Sequence, residues 1–526
     1  MAYQFNFRTF SSRNLFKLIP CLLGSASLIA FSGAQAADLP VKAKAVEYVR
    51  ICSLYGDGFY YIPGTDTCIK LGGYLRVSVE ANSNYIGTGN TYGQTGTGNR
   101  FANAYTWQSR LDLSIDTRTA TEYGVVRTYF DATFSWSNDS YTANGTNALG
   151  SVYSQIGAGV GQTNNGTSGA VAAGTLGVYY AFIQFAGFTM GKNLSPFSAP
   201  WANYPGNSFD GLVGGGGSIT GVNQFDYTAQ FGNGVSATIA VVDPTLYYQA
   251  AVLNFGAFGS GASFTGAGDY AGTVAPDIVG NLSVSQAWGF AQLSVAAHDN
   301  NVAYYNNGNI PAGHANDVWG YAVQAALTIK NVPTGAGDTI NADVVYTNGA
   351  TRYNIQDLAG AAGAWTTTNG NNALPGQLGS VGVGFAPDSV FNTNGQQQLI
   401  STWGGRAGYN HNWNPQWNSS VYGAYAAVSY GSATSAGSAA SIVCASLAVS
   451  LPSITTCNPN FSVTQAGFIT RWNPVKNLVF LADFTWEHLS QNYAGAVTTS
   501  GGYGVGSYAI ANQNTYQVLL RALRSW

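Results

Sequence analysis

From residue 68 onward, hydrophobic and polar side chains alternate one by one through segments of about ten residues. In 69–80, Ile69, Leu71, Leu75, Val77 and Val79 fall on one face, and Lys70, Tyr74, Arg76, Ser78 and Glu80 on the other. In 109–118, Leu111, Leu113 and Ile115 alternate with Arg110, Asp112, Ser114, Asp116 and Arg118. In 125–136, Val126, Thr128, Phe130, Ala132, Phe134 and Trp136 oppose Arg127, Tyr129, Asp131, Thr133 and Ser135. Late in the chain, Leu478, Phe480, Ala482, Phe484 and Trp486 oppose Asp483, Thr485 and Glu487. A period of two is that of a β-strand. The other segments are less regular, 223–231 and 317–329 least of all.

The connections between these segments alternate in length. Long ones run roughly over 81–103, 137–174, 196–222, 243–277, 305–316, 351–399, 432–461 and 494–513. Short turns fall near 119–122, Ala186-Gly187, Gly232-Asn233-Gly234, 287–289, 330–337, 413–417 and 473–476. Eight long loops and seven turns imply sixteen strands, and this rhythm predicts an all-β, antiparallel up-and-down barrel over 68–526, with its tight turns at one rim. A soluble sandwich also alternates, but its polar face is rich in Lys and Glu and its connections are more even in length. Here the polar face is Arg, Asp, Ser, Thr and Asn. Unpaired backbone in lipid costs several kcal/mol per group, so only a closed barrel could carry such strands through a bilayer.

Composition agrees. Charged residues are 8% of the 526-residue chain while aromatics reach 13%, against roughly 25% charged residues in ordinary soluble domains. A wall that faces lipid needs little charge and uses aromatics at its interfaces. The formal net charge of −3 excludes a strongly basic nucleic-acid surface. Arg8, Arg13 and Lys17, the apolar stretch Leu18 to Phe31 and the Ala34-Gln35-Ala36 site predict a cleaved export signal over 1–36. That apolar stretch is shorter than the ~20 residues of a spanning helix. A short segment, 37–67, is expected between the signal and the barrel, on its periplasmic or lumenal side.

After processing, Cys52, Cys68, Cys444 and Cys457 remain, and four cysteines permit three pairings. The local pairs Cys52–Cys68 and Cys444–Cys457 are expected, since each would close one short irregular segment in an oxidising compartment. A zinc site is the alternative, without C-x2-C spacing or a neighbouring His.

On the inward face, Arg76, Arg110, Arg118 and Arg127, with Arg521 on the last strand, are candidate pore-lining residues. Pairing with Asp112, Asp116 and Asp131 as structural salt bridges is the plainer reading. A positive wall opposite an in-folded loop is the functional one. The segment 195–222, with Trp201, Tyr204, Phe209 and Asp210, is the candidate for that loop, which makes Asp210 a constriction candidate. Its Gly214-Gly215-Gly216-Gly217 run lacks the Lys of a phosphate-binding loop and reads as a flexible return.

Residues 47–80, EYVRICSLYGDGFYYIPGTDTCIKLGGYLRVSVE, closely resemble the start of the alphaproteobacterial outer-membrane porins, with their GxGFxYIPGTDTC element and GGYxR first strand. The end, LLRALRSW, is similar to the family's terminal LRVQRDF, with Trp526 in place of the final Phe. The resemblance implies a sixteen-stranded, homotrimeric, water-filled channel with a third loop folded inward. It places Arg76 in the lumen, pairs Cys52 with Cys68, and makes 195–222 the inward loop. With Asp210 as its sole acid, that loop departs from the acid-rich loops of many general porins. Trp526 would be the signal read by the barrel-insertion machinery.

The function expected is passive diffusion of small hydrophilic solutes and ions across a Gram-negative outer membrane. Lipid, two further copies of the chain and the insertion machinery are the partners, with no nucleic acid, cofactor, metal or catalytic residue. The alternatives are a plugged adhesive or structural barrel and an outer-membrane enzyme. The enzyme reading has four His to draw on, His298, His314, His411 and His488, none in a nucleophile motif.

Overall fold

The computed structural model describes residues 50–82, 105–137, 170–171, 174–202, 204–208, 212–216, 220–245, 247–256, 270–305, 313–355, 364–368, 380–392, 395–499 and 506–526. The expected export signal lies outside the described residues.

Sixteen antiparallel strands form the barrel: β1 (Cys68–Asn82), β2 (Tyr105–Thr121), β3 (Gly124–Ser137), β4 (Gly174–Phe185), β5 (Phe188–Asn193), β6 (Val222–Gly232), β7 (Val235–Val242), β8 (Asp277–Gln286), β9 (Gly289–Asn300), β10 (Val318–Lys330), β11 (Thr339–Asn348), β12 (Ser401–Asn414), β13 (Trp417–Ser429), β14 (Phe461–Val475), β15 (Leu478–Gln491) and β16 (Gln513–Ser525). Each pairs with the next, and β16 closes on β1 in a register running from Tyr74↔Ser525 to Asn82↔Gln517. The two least regular segments, 223–231 and 317–329, are strands as well. The strand rhythm holds throughout, down to the turn at Ala186-Gly187.

Turn chemistry explains the short connections. Asn233 and Gly234 both have positive φ, 49° and 74°, the backbone that a two-residue hairpin turn requires. Asn331 and Asn477 take the same left-handed region at two other turns. Short turns at one rim leave the long connections to the other, which in an outer-membrane barrel is the extracellular side.

The side chains are arranged inside out relative to a soluble protein. Leu71, Leu75, Phe130, Leu293, Val344 and Phe484 are exposed on the outer wall, while Arg76, Arg110, Asp112, Asp343, Arg406 and Glu487 are buried within. Apolar cores form where the long connections fold together. One joins Leu212 and Val213 to Leu253, Val383, Val390 and the helix α1 (Ala439–Ser450). Another places Phe197 against Tyr248 and Tyr353, whose rings stack with centroids 4.1 Å apart. Ser438 caps α1 by accepting from the Ser441 N–H at 3.1 Å, and Cys444 on that helix bonds Cys457.

Before β1, residues 50–67 form a small unit of their own chemistry. Tyr60 and Tyr61 pair with Ile69 and Cys68, and the Cys52–Cys68 disulfide fastens the segment to the first strand. Closing a loop with 16 residues of separation stabilises by about 3 kcal/mol in the chain-entropy account.

Candidate functional site

Inward-facing charge divides the barrel into two walls. The first comprises β16 and β1–β3 and holds the five arginines named as pore-lining candidates, Arg76, Arg110, Arg118, Arg127 and Arg521. Facing lipid at the midplane, each would cost about 2–4 kcal/mol, which fixes the register of these strands. Arg76 and Arg110 are cross-strand partners. Arg76 donates from Nη2 to Gln108 Oε1 at 3.2 Å. Arg110 donates from Nε to Ser135 Oγ and from Nη1 to the Tyr179 hydroxyl, both at 2.8 Å. Arg521 Nε donates to Ser78 Oγ at 3.0 Å.

Nearer the short-turn rim, Arg118 and Arg127 also face each other across β2 and β3. Asp116 lies between them, at 2.9 Å from Arg118 Nη2 and 3.0 Å from Arg127 Nη2. The structural reading of these arginines therefore holds here, yet two cations share one carboxylate and the cluster keeps a net positive charge.

The second wall runs from β8 to β15, and the segment between β5 and β6 is bonded along it. Gln292 on β9 donates to the Ser198 carbonyl at 3.0 Å. Gln324 on β10 donates to the Phe197 carbonyl and accepts from the Gly216 N–H at 2.8 Å. Arg406 on β12 and Asp343 on β11 form a fully buried pair, Nε to Oδ2 at 3.0 Å, and Arg406 Nη2 donates to the Ala202 carbonyl at 2.6 Å. Arg471 on β14 donates to the Gly206 carbonyl at 2.7 Å. Asp483 on β15 accepts from the Ser208 N–H and the Tyr422 hydroxyl, both at 2.7 Å.

Glycines make this close approach feasible. A Cβ on Gly408 of β12 would lie 2.7 Å from the Pro205 carbonyl carbon, and one on Gly404 would lie 2.8 Å from Gly214 Cα. The reverse holds too: a Cβ on Gly215 would strike the Asp343 carboxylate, and one on Gly216 the Phe197 ring. Gly214, Gly215 and Gly216 thus pack closely where composition suggests a flexible return, because only a backbone without side chains fits against β11, β12 and Phe197.

Of the residues named in this segment, Trp201 and Tyr204 are described, the Tyr204 N–H donating to the Trp201 carbonyl at 3.0 Å, while Phe209 and Asp210 lie outside the described residues. The cysteines pair as Cys52–Cys68 and Cys444–Cys457, with Cα separations of 6.1 and 5.6 Å. Trp526 is exposed at the short-turn rim, its N–H bonded to the Gly73 carbonyl at 3.2 Å.

The histidines are spread over the molecule. His298, at the end of β9, is fully buried, with Nδ1 2.8 Å from Asp277 Oδ1 and Nε2 2.9 Å from the Tyr270 hydroxyl, so it ties the loop residue Tyr270 to the barrel strands. His411 meets Asp338 at 2.7 Å at the short-turn rim. His488 bonds Asn514, and His314 the Ala315 carbonyl.

Sequence reasoning missed Arg406, Asp343, Arg471, Gln324 and Gln465 (on β14, accepting from the Val213 N–H at 2.9 Å), and Asp483 was seen only as part of a polar face. The signal was present. Each occupies an inward position by the same period-two count that picks out Arg76, and the STWGGRAGYN stretch puts two inward glycines around Arg406.

Comparison with known proteins gives the following. A family model described as Porin subfamily matches residues 38–517. Porin Omp2b of Brucella suis biovar 1 (strain 1330) is 34% identical over 284 residues, 53% of this chain and 65% of that protein. Porin Omp2b of Brucella canis is 33% identical over 283 residues, with the same shares. The match thus spans somewhat less than two thirds of the length of these relatives. Among solved structures, the outer membrane channel DcaP of Acinetobacter baumannii superposes with a TM-score of 0.51 at 14% identity, covering 89% of this chain and 99% of that chain. At that identity the likeness is one of fold.

Proposed function

The chain belongs to the Porin subfamily, a barrel of the Gram-negative outer membrane, and from the two unlike walls of its lumen we infer that it is a channel for passive diffusion of small hydrophilic solutes and ions. One observation carries the reading. The segment between β5 and β6 is bonded to β9–β15, while Arg76, Arg110, Arg118, Arg127 and Arg521 stand on β16 and β1–β3. A fixed row of guanidiniums opposite a bonded-down loop sets a transverse field, which orients dipolar solutes and sorts ions without chemistry or an energy source. The segment acts as the constriction, with Arg76, Arg110 and Arg521 on the wall that it faces and Asp210 as its acidic member.

The remaining parts follow from this role. Residues 1–36 direct export and are removed. Residues 37–67 form a short periplasmic segment held by Cys52–Cys68. Trp526 ends the last strand as the aromatic signal for the insertion machinery, and lipid covers the outer wall. Three copies associate through those outer walls, an assembly that native mass measurement in detergent tests directly.

Family membership argues for a channel rather than an enzyme. A plugged barrel is the second reading. It draws on the apolar cores that bring Val383 and Phe385 together with the inward-facing Val463 and Leu489. Liposome swelling separates the two. Proteoliposomes are expected to swell in small sugars at rates that fall with sugar size, whereas a plugged barrel gives none at any size.

A further inference from the structure

Residues 50–67 do more than precede the barrel. The Tyr55 and Phe59 rings lie against Arg118, whose guanidinium carbon is 5.7 and 4.9 Å from their centroids. Two cavities meet at this contact. One, of about 540 Å³, is lined by Arg118, Arg127, Gln184, Thr189 and Thr228. The other, of about 410 Å³, is lined by Phe59, Lys70, Asp116 and Tyr129. Tyr55 and Arg118 line both, so they form the partition between them at the short-turn end of the lumen.

The partition is chemically primed. The Tyr55 hydroxyl is enclosed and has no hydrogen-bond partner among the described residues, a state that costs free energy unless something else supplies the bond. Arg118 and Arg127 bind Asp116 on one side, and their side chains stay 29% and 27% exposed against 11% for the carboxylate. A solute entering the larger cavity therefore meets cations before it meets the acid. Arg127 also lies over the Tyr129 and Phe182 rings, 5.0 and 5.4 Å from their centroids, which fixes its plane. The backbone that carries Tyr55 is equally fixed, by the Cys52–Cys68 bond and by the Cys52 N–H donating to the Phe59 carbonyl at 2.9 Å.

We propose that Tyr55, Arg118 and Arg127 form a solute-binding station at the periplasmic exit, which holds small planar organic anions by a carboxylate head. The carboxylate accepts from Arg118 and, once the Tyr55 side chain turns its enclosed hydroxyl toward the larger cavity, from that hydroxyl, two charge-assisted bonds converging on one anion. The planar body occupies the larger cavity against the Tyr55 ring. The station lies apart from the constriction and rests on the diffusion-channel reading.

The test uses the full-length processed chain, inserted as single channels in a planar bilayer in KCl, with benzoate as the probe and acetate and benzylammonium as controls. Benzoate is expected to interrupt the current reversibly, and the two controls are expected to interrupt it far less. Tyr55→Phe, which keeps the ring, should weaken the interruption about tenfold, the worth of one hydrogen bond to a charged group. Arg118→Gln should weaken it by about tenfold or more. The double variant Cys52→Ser/Cys68→Ser should weaken it as well, through loss of the fixed Tyr55. Heat-modifiable migration on gels confirms that each variant is a folded barrel. A conducting channel that benzoate leaves uninterrupted, or one interrupted equally in wild type, Tyr55→Phe and Arg118→Gln, overturns the station. A silent wild type overturns the channel reading instead.

Discussion

Arg76 and Arg110 stand directly opposite each other on β1 and β2, both buried inside the barrel. Like charges at facing positions of a sheet destabilise it, and Gln108, Ser135 and Tyr179 offset this by accepting from the two guanidiniums. The arrangement places two guanidiniums side by side on one stretch of the lumen wall.

Removing either charge should therefore change which ions pass. A unit charge about 8 Å from a permeating ion in water contributes about 0.5 kcal/mol, a factor of about two in local concentration. Arg76→Gln and Arg110→Gln are each expected to move the reversal potential in a KCl gradient toward cation selectivity by that factor. The double variant should move it further.

The Arg406–Asp343 pair should control both stability and conductance. Both side chains are fully buried, and Arg406 also holds the Ala202 carbonyl. Breaking a buried pair by removing one partner typically costs about 3–5 kcal/mol. Arg406→Met is expected to lower the temperature at which the barrel loses its heat-resistant gel migration. It should also give larger or noisier single-channel currents, because the segment between β5 and β6 loses an anchor.

Gly408→Val tests the same contact from the backbone side. A side chain there meets Pro205 at 2.7 Å, so the segment must shift away from β12. Altered conductance is expected with the barrel intact. Gly280→Ala serves as the control, because its Cβ would make only an ordinary 3.6 Å contact with Val295.

What was legible in the chain depended on how local its cause is. Strand count, turn positions and the inward face of Arg76 or Asp483 follow from period-two alternation, because lipid outside and water inside impose opposite demands on successive residues. The disulfide pairs were legible because each closes a short segment. The bonded path of the segment from Ser195 to Gly216 was not, since its partners Gln292, Gln324, Arg406 and Asp483 are scattered over nearly two hundred residues. Gly404 and Gly408 marked that path, but an inward glycine in a strand reads equally as a bulge or a bend. Tyr55 was hidden for a similar reason: it precedes β1 while its neighbour Arg118 is on β2, and only the fold brings them together.

At the short-turn rim, Asp338 should give the barrel an acid-sensitive component of stability. Burial pushes its carboxyl up, but bonds from the Thr334 hydroxyl, the Asn412 N–H, His411 and the Tyr409 hydroxyl outweigh this and hold it well below the usual carboxylate range. A carboxyl with a depressed value in the folded state stabilises fully above its unfolded value, 3.8, and loses that contribution as the pH falls below it. Thermal transitions followed from pH 7 down to 3 should therefore show a decline at the acid end. Asp338→Asn should lower the transition at pH 7 and flatten that decline.

The most direct test of the diffusion-channel account is the conductance of the purified protein in a planar bilayer under a KCl gradient. Large, stable current steps are predicted, with a reversal potential that shifts toward cation selectivity when Arg76 and Arg110 are both replaced by Gln. Folded protein that inserts but passes no current, or whose reversal potential ignores both substitutions, would contradict it.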